Sequence, residues 1–260
     1  MEKGKYNILN FKLYYIIQGS IMYIIKRKRI SLILIALMLG IFVYSYENQK
    51  LNTDEQTQST TATPVSGKVI VVDAGHGVPD EGAQSSRGTT EAETNLKISL
   101  KLQNLLEQSG CTVILTRSDE NAIYDLDKTT LREKKISDIR NRVKIGNNAS
   151  ADLFVSIHLN KIPQQQYWGW QCFYNSKNEK SVNLAKKIQA NLNESIQKDN
   201  KRVAMKLDTV YIMKHVEIPI SIVECGFLSN PEEEQQLLDD EYQNKLAWGI
   251  FNGIIEYFNE

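Results

Sequence analysis

From Lys68 onward, short runs rich in Val, Ile, Phe or Tyr alternate with longer segments of helical periodicity. Six runs are predicted to be strands: Lys68–Ala74, Thr112–Arg117, Leu153–His158, Gln171–Asn175, Thr209–Lys214 and Ile220–Cys225. Five segments are predicted to be helices: Glu91–Ser109, Leu131–Asn148, Glu179–Gln197, Glu232–Asp239 and Tyr242–Phe258. This alternation restricts the chain to the α/β class, with one domain built on a mostly parallel, twisted sheet of about six strands and helices on both faces.

The amino-terminal residues predict a membrane anchor ahead of this domain. The basic cluster Lys26–Arg29 precedes Ile30–Tyr46, a stretch of seventeen uncharged residues that spans roughly 25 Å as a helix. No small-residue cleavage site follows it, which favours an uncleaved signal anchor over a removed signal peptide. The basic cluster places residues 1–29 in the cytoplasm and the remainder of the chain outside.

A polar linker is predicted between the anchor and the domain. Residues 47–66 are rich in Thr, Ser and Gln, which is typical of a flexible tether, and the domain itself takes up residues 67–260. The compact start of the anchor at Met22 leaves open whether translation begins there or at Met1.

The charge of the chain is unevenly distributed. Residues 1–50 hold 8 of the 31 basic residues and 2 of the 31 acidic ones, so the remainder has 23 basic against 29 acidic residues. An acidic outer domain argues against nucleic acid as a partner. The three cysteines are scattered and form no C-x-x-C pair, which excludes a disulfide framework and a zinc knuckle.

Three predicted strands end in residues that could act in chemistry. His76 follows the first strand, His158 ends the third and Glu224 lies in the last. Because the carboxyl ends of parallel strands meet at one edge of a sheet, we expect these side chains to lie together. Two neutral imidazoles suit Zn²⁺, usually with a carboxylate as third protein ligand. Gly75 and Gly77 are expected to let metal and substrate approach the backbone closely.

Either Glu91 or Glu93 could supply that carboxylate, because both lie at the start of the first predicted helix. Thr90 is a suitable N-cap, and the spacing Thr90-x-x-Glu93 is that of a capping box, which gives Glu93 a structural role. Glu91 is then free to face the sheet edge, and the sequence favours it over Glu93.

Several separated motifs, in order, carry a resemblance to a known family. The segments VVDAGHG, EGA, GTTEAETNL, RVKIGNNASADLFVSIHLN and VECGFLSNPEEEQQL resemble those of the zinc-dependent N-acetylmuramoyl-L-alanine amidases of bacterial cell walls. The resemblance runs from about Val69 to Phe258 and implies one Zn²⁺ per chain held by His76, Glu91 and His158, with Glu224 as catalytic acid and base. The short, anchored layout without wall-binding repeats is similar to the spore-cortex type.

This resemblance implies hydrolysis of the amide between N-acetylmuramic acid and L-alanine of the peptidoglycan stem peptide. In the cortex, a muramic acid deacetylase and cyclase would then act on the bare muramic acid to form the δ-lactam. Three alternatives remain: a vegetative autolysin of the same activity, a zinc peptidase that cleaves within the stem peptide, and a non-catalytic wall-binding module.

Four further features have a structural and a functional interpretation. His215 directly follows the fifth predicted strand, but no motif of the family places a ligand there, so a local structural role is favoured. The acidic run after Pro231 indicates a helix amino terminus rather than a metal site. The stretch YWGWQCFY fits a half-buried strand better than a sugar-stacking platform. Arg140 and Arg142 lie on a predicted helix, where one could reach the site or both could be solvated.

Overall fold

The computed structural model describes residues 37–45 and 63–259, and the chain divides into two units, Met1–Thr61 and Ala62–Glu260. In the first unit, residues 37–45 are helical. Among the residues that are described, no helix is both long and apolar enough to cross a membrane. Residues 30–36 and 46 of the predicted anchor Ile30–Tyr46 lie outside the described residues, as do the basic segment before it and most of the linker after it, so these stay predictions.

The second unit contains a central sheet with helices around it. Its strands are β1 (Val69–Ala74), β2 (Thr112–Leu115), β3 (Leu153–Asn160), β4 (Gln171–Tyr174), β5 (Met205–Lys206) and β6 (Ile220–Phe227). Its helices are α1 (Glu91–Gln108), α2 (Leu131–Asn148), α3 (Glu179–Ile196), α4 (Tyr211–His215), α5 (Pro231–Leu238) and α6 (Asp240–Phe258). The predicted α/β class, with a mostly parallel sheet of six strands, is confirmed.

The strand order is β2-β1-β3-β6-β4-β5. All neighbours pair in parallel except β4 and β6, which are antiparallel. The strands β1, β3 and β6 therefore lie side by side in the same direction, and their carboxyl ends form one edge, which we call the carboxyl edge.

Helices cover both faces of the sheet, as predicted. On one face, Ile70 and Val72 of β1 pack in a buried cluster with side chains of α1, α3 and α6. On the other face, Val71 packs in a second cluster with side chains of α2 and α4. Successive residues of β1 pack on opposite faces of the sheet. Because both faces are covered, Val69–Val72 form a continuous apolar run.

The prediction of a strand at Thr209–Lys214 is wrong. This segment contains the short helix α4, and the edge strand is β5. Ile212 and Met213 are both buried against the α2 side of the sheet, although they are neighbours in sequence. Two adjacent side chains cannot face the same side of a strand, whereas one turn of helix can bury both.

The start of the domain lies at the opposite edge of the sheet from the carboxyl ends. Residues 63–66, which the sequence placed in the linker, form a turn, and Val65 is fully buried. Thr63 donates a hydrogen bond from Oγ1 to the carbonyl of Ser109 at 2.6 Å. The chain enters β1 directly from this turn.

Candidate active site

Three side chains with metal-binding atoms meet at the carboxyl edge. His76 lies two residues beyond β1, His158 is in β3 and Glu91 is the first residue of α1. One ligand atom from each lies within 4.8 Å of the others. The structure thus brings together the three residues that the sequence singles out as metal ligands.

The turn that carries His76 has an unusual backbone. His76 itself has φ of 64°, in the left-handed region that non-glycine residues rarely adopt. A Cβ on Gly75 would lie 2.4 Å from the imidazole of His158, and a Cβ on Gly77 would lie 2.6 Å from the backbone nitrogen of Ala122. The glycines are therefore needed so that the His158 ring and the neighbouring loop can pack against this turn, a reason different from the one expected from sequence.

Glu91 is buried between the two imidazoles. Its Oε1 lies 2.9 Å from His158 Nδ1 and 3.4 Å from His76 Nε2. The backbone N–H groups of Ala83 and Leu159 donate to its carboxylate at 2.8 and 3.1 Å. Burial alone would raise the pKa of Glu91, but the hydrogen bonds and charges of the two histidines hold it well below its usual range. Glu91 is thus fixed as an anion.

Glu93 points away from the cluster. It is exposed, and its carboxylate pairs with Lys97 at 2.6 Å. Thr90 is the N-cap, as predicted, and its Oγ1 accepts a hydrogen bond from the Glu93 N–H at 3.4 Å. The predicted capping box is only half formed, because the Glu93 carboxylate pairs with Lys97 and not with the Thr90 N–H. The choice of Glu91 over Glu93 as the residue at the sheet edge agrees with this geometry.

Asp80 is a neighbour of His76 that sequence reasoning missed. Its Oδ2 lies 3.3 Å from His76 Nδ1 and 2.9 Å from Lys135 Nζ. Burial would lower the pKa of His76, but Asp80 and Glu91 raise it to about 9. A carboxylate on one ring nitrogen orients the other nitrogen, a common arrangement behind metal-binding histidines. Asp80 lies in an irregular loop, where no sequence pattern marks it.

Arg142 of α2 is buried and reaches the turn that carries His76. It donates to Asp73 at 2.6 Å, to Asp138 at 2.7 Å and to the main-chain carbonyl of Ala74 at 2.7 Å, and it also bonds the carbonyl of His76. A solvated position is therefore excluded for Arg142.

Arg140, on the same helix, is exposed. Of the two arginines that the sequence could not separate, only Arg142 contacts the turn.

Glu224 lies in β6 directly opposite His158 of β3. The pairing register of the two strands shifts just beyond this pair, a bulge of the kind that often accompanies functional sites. Glu224 Oε2 is buried without a hydrogen-bond partner. Burial, with a smaller contribution from the charge of Glu91, raises the pKa of Glu224 to about 7. This carboxyl group can therefore both accept and release a proton near neutral pH.

A cleft opens beside these groups. His76, His158 and Glu224 line it together with apolar side chains that include Leu207 and Val210. The cleft has a cavity volume of about 180 Å³, so it holds one group of a larger substrate rather than a whole ligand. An unpartnered carboxyl oxygen on such a wall is placed to meet a substrate or a water.

The donor set fits a divalent metal ion. Two imidazoles and one carboxylate converge, and the remaining hydrogen-bonding groups of Glu91 and His76 already have partners in the protein. The cleft leaves one side of the cluster open, as in catalytic zinc sites, whereas structural sites are closed by a fourth protein ligand. His76, Glu91 and His158 could therefore hold Zn²⁺.

The remaining histidine lies apart from this cluster. His215 is in α4, where its ring stacks on Tyr211 with a centroid distance of 3.9 Å and its Nδ1 contacts the Tyr211 carbonyl. The local role predicted for it agrees with these contacts.

The acidic and aromatic segments have structural roles. Pro231 is the first residue of α5, as predicted, but Glu233 within the acidic run is buried and accepts hydrogen bonds from the N–H groups of Gly169 and Phe227. In the aromatic stretch, Trp170 is fully buried and donates to Asn193. Trp170 directly precedes β4, so only Gln171–Tyr174 of the aromatic stretch is a strand, and the burial of Trp170 indicates a core role.

Comparison with known proteins identifies the family. The profile of the Amidase_3 family, described as N-acetylmuramoyl-L-alanine amidase, matches residues 70–256. The chain belongs to this family. The chain is 34% identical over 234 residues to the germination-specific N-acetylmuramoyl-L-alanine amidase of Bacillus subtilis, an alignment that covers 90% of this chain and 97% of that protein.

Solved structures of amidases have the same fold. The CwlD amidase from Clostridioides difficile, in complex with the GerS lipoprotein, superposes with a TM-score of 0.73 at 42% identity, covering 74% of this chain and 99% of that one. The catalytic domain of CwlV from Bacillus (Paenibacillus) polymyxa superposes with a TM-score of 0.63 at 32% identity, with coverage of 74% and 98%. The domain is therefore an N-acetylmuramoyl-L-alanine amidase by family, by sequence and by fold.

Proposed function

We propose that this amidase uses one Zn²⁺, held by His76, Glu91 and His158, to hydrolyse the amide between N-acetylmuramic acid and L-alanine in spore-cortex peptidoglycan. The observation that carries the proposal is the position of Glu224. Its unpartnered, buried carboxyl oxygen lies beside the His-Glu-His cluster, on the wall of the open cleft.

The residues around the His-Glu-His cluster have distinct tasks in this reaction. When bound, Zn²⁺ supplies Lewis acidity toward the scissile carbonyl and the attacking water. Glu224 would accept a proton from the attacking water and donate it to the leaving amide nitrogen. Asp80 orients His76, and the backbone N–H groups of Ala83 and Leu159 hold Glu91.

Digestion of purified cortex and of vegetative wall, followed by mass spectrometry of the products, tests the reaction. We expect free stem peptides that begin with L-alanine, and glycan strands with peptide-free muramic acid. The matched control is the Glu224→Gln variant, which preserves the shape of the side chain but cannot transfer the proton. A zinc peptidase would leave L-alanine attached to muramic acid, and a wall-binding module would release nothing.

The cortex as the site of action is supported by similarity to the germination-specific amidase of Bacillus subtilis over nearly the whole of that protein. A muramic acid deacetylase and cyclase would act on the product to form the δ-lactam. The Clostridioides difficile relative is solved with a lipoprotein rather than with a deacetylase, so we propose the deacetylase as a later enzyme and not as a bound partner.

Deletion of the gene tests this role. We expect dormant, heat-resistant spores that fail to complete germination and whose cortex lacks muramic δ-lactam. A normal δ-lactam content in the deletion strain would contradict the cortex role and favour a vegetative autolysin.

We further propose that Ile30–Tyr46 anchors the chain in a membrane with the catalytic domain outside. The proposal rests on the uncharged stretch and the basic cluster before it. Protease added to intact protoplasts should remove the domain and spare a short anchor. Protection of the domain would reverse the topology.

A further inference from the structure

Arg117 lies two residues beyond β2 and is buried, with 3% of its surface exposed. Its Nε donates to the carbonyl of Ala74 at 2.8 Å. Its Nη2 donates to the carbonyls of Gly75 and Ala92 at 3.0 and 2.7 Å, and its Nη1 donates to that of Asp119 at 2.7 Å. Every acceptor is a main-chain oxygen, so the guanidinium binds backbone rather than a carboxylate.

These carbonyls belong to the two segments that carry the first two predicted ligands. Ala74 and Gly75 immediately precede His76, and Ala92 immediately follows Glu91. Residues 77–90, between the two ligands, contain no helix and none of the six strands, although the N–H of Ala83 bonds Glu91. A side chain from another element that bonds both ligand segments adds a direct link between them.

We propose that Arg117 is a positioning residue, which sets the separation of His76 and Glu91 and thereby prepares the site for its metal. The inference rests on the proposed function, because it assumes that these residues bind Zn²⁺. The left-handed backbone of His76 supports it, because an unfavourable conformation persists only where surrounding bonds impose it. Arg117 bonds the carbonyls of the two residues before His76, and Arg142 bonds that of His76 itself.

Arginine suits this task and lysine does not. The planar guanidinium presents its N–H groups in a rigid fork, so that Nε and Nη2 reach the adjacent carbonyls of Ala74 and Gly75 together. An ammonium group is a single point with three donors and cannot reproduce this spread. The Arg117→Lys variant therefore keeps the charge but loses the hydrogen bonds that join the two ligand segments.

The test is the zinc affinity of the full-length chain, measured by competition with a chromophoric chelator. Arg117→Lys should raise the dissociation constant for Zn²⁺ by about 10–100-fold, as loss of groups that orient metal ligands typically does. The visible spectrum of the Co²⁺-substituted protein should also shift, because the ligands are no longer held in one geometry. Arg117→Met, which leaves no buried charge to oppose folding, should show the same two changes.

A control separates positioning from general stability. Leu192→Ala removes a fully buried side chain from α3, a helix that contains none of the ligands. With unfolding measured in excess chelator, this variant should lose stability yet keep the wild-type zinc affinity and Co²⁺ spectrum. Wild-type affinity and spectrum in both Arg117 variants would overturn the inference, as would equal loss of affinity in Leu192→Ala. A wild-type chain that binds no Zn²⁺ would instead overturn the proposed metal site, and the inference with it.

Discussion

The carboxyl edge of the sheet and the face covered by α1, α3 and α6 are built in opposite ways. At the edge, His76 has a left-handed backbone and Glu224 Oε2 is buried without a partner. On the covered face, side chains such as Leu184, Ile188 and Leu192 are fully buried among other apolar groups. The carboxyl edge contains buried polar groups in constrained positions, whereas the covered face consists of close-packed apolar side chains.

The difference teaches where this domain derives its stability. A buried carboxyl oxygen without a hydrogen bond costs about 1–3 kcal/mol. Each fully buried leucine or isoleucine contributes about 1.5–3 kcal/mol, so one or two of them offset that cost. Substitutions at the edge should therefore change metal binding and turnover, whereas substitutions on the covered face should change the free energy of unfolding.

The largest effect is expected from His158→Ala. Removal of one of three metal ligands should abolish stoichiometric zinc binding and hydrolysis, while circular dichroism shows an intact fold. Zinc content and amide hydrolysis should be measured on the same preparation.

The matched control for this variant is His215→Ala. His215 is an exposed histidine that stacks on Tyr211 in α4, and its loss should leave zinc content unchanged. Full zinc content in the His158→Ala protein would remove His158 from the metal site.

Glu224→Gln should have the next largest effect. The amide cannot carry the proton, so turnover should fall by roughly 10²–10⁴-fold. Zinc content should remain that of the wild type, because the three proposed ligands are untouched. Activity near the wild-type level would exclude Glu224 from the mechanism, and loss of zinc would make it a ligand.

Gly253→Ala tests the covered face. A Cβ at this position of α6 would lie 2.4 Å from the Cα of Ile188 in α3, and backbone atoms cannot move aside cheaply. Alanine gains about 1 kcal/mol of helix propensity over glycine, but we expect the clash to exceed this and to lower the free energy of unfolding by about 1–3 kcal/mol overall. Urea denaturation measures the change.

A turnover assay and a control variant accompany the urea denaturation. Turnover per folded molecule should be unchanged in Gly253→Ala, because the site is elsewhere. Asn252→Ala, one residue earlier on the same helix, should shift the free energy of unfolding by less than about 0.5 kcal/mol. A large fall in turnover of folded Gly253→Ala would show that the two regions are coupled.

The smallest effect is expected from Glu93→Gln. Glu93 is exposed and forms a surface ion pair with Lys97, and such pairs contribute about 0–1 kcal/mol. Zinc content and turnover should match those of the wild type. Loss of zinc would mean that Glu93, not Glu91, supplies the carboxylate.

Features with a local pattern could be predicted from the sequence. The long helices begin at capping residues such as Thr90, and the buried runs at β1, β3 and β6 lie between them. That His76 and His158 meet at one edge follows from parallel strand geometry, which needs no knowledge of side-chain contacts.

Features that depend on contacts distant in sequence could not be predicted. Arg117 binds carbonyl oxygens of residues 74, 75 and 92, and no residue type or spacing marks a main-chain acceptor. The run that became α4 has the composition of a strand, and its helical turn is imposed by the burial of Ile212 and Met213 together. Tertiary packing decides such short elements over intrinsic propensity.

The turn around Val65 determines where a preceding segment is attached to the domain, relative to the active site. The chain enters the domain at the amino end of β1, and the catalytic groups lie at its carboxyl end. A strand of six residues is about 20 Å long. Anything tethered through residue 63 is therefore attached at the rear of the domain, with the cleft directed away from the point of attachment.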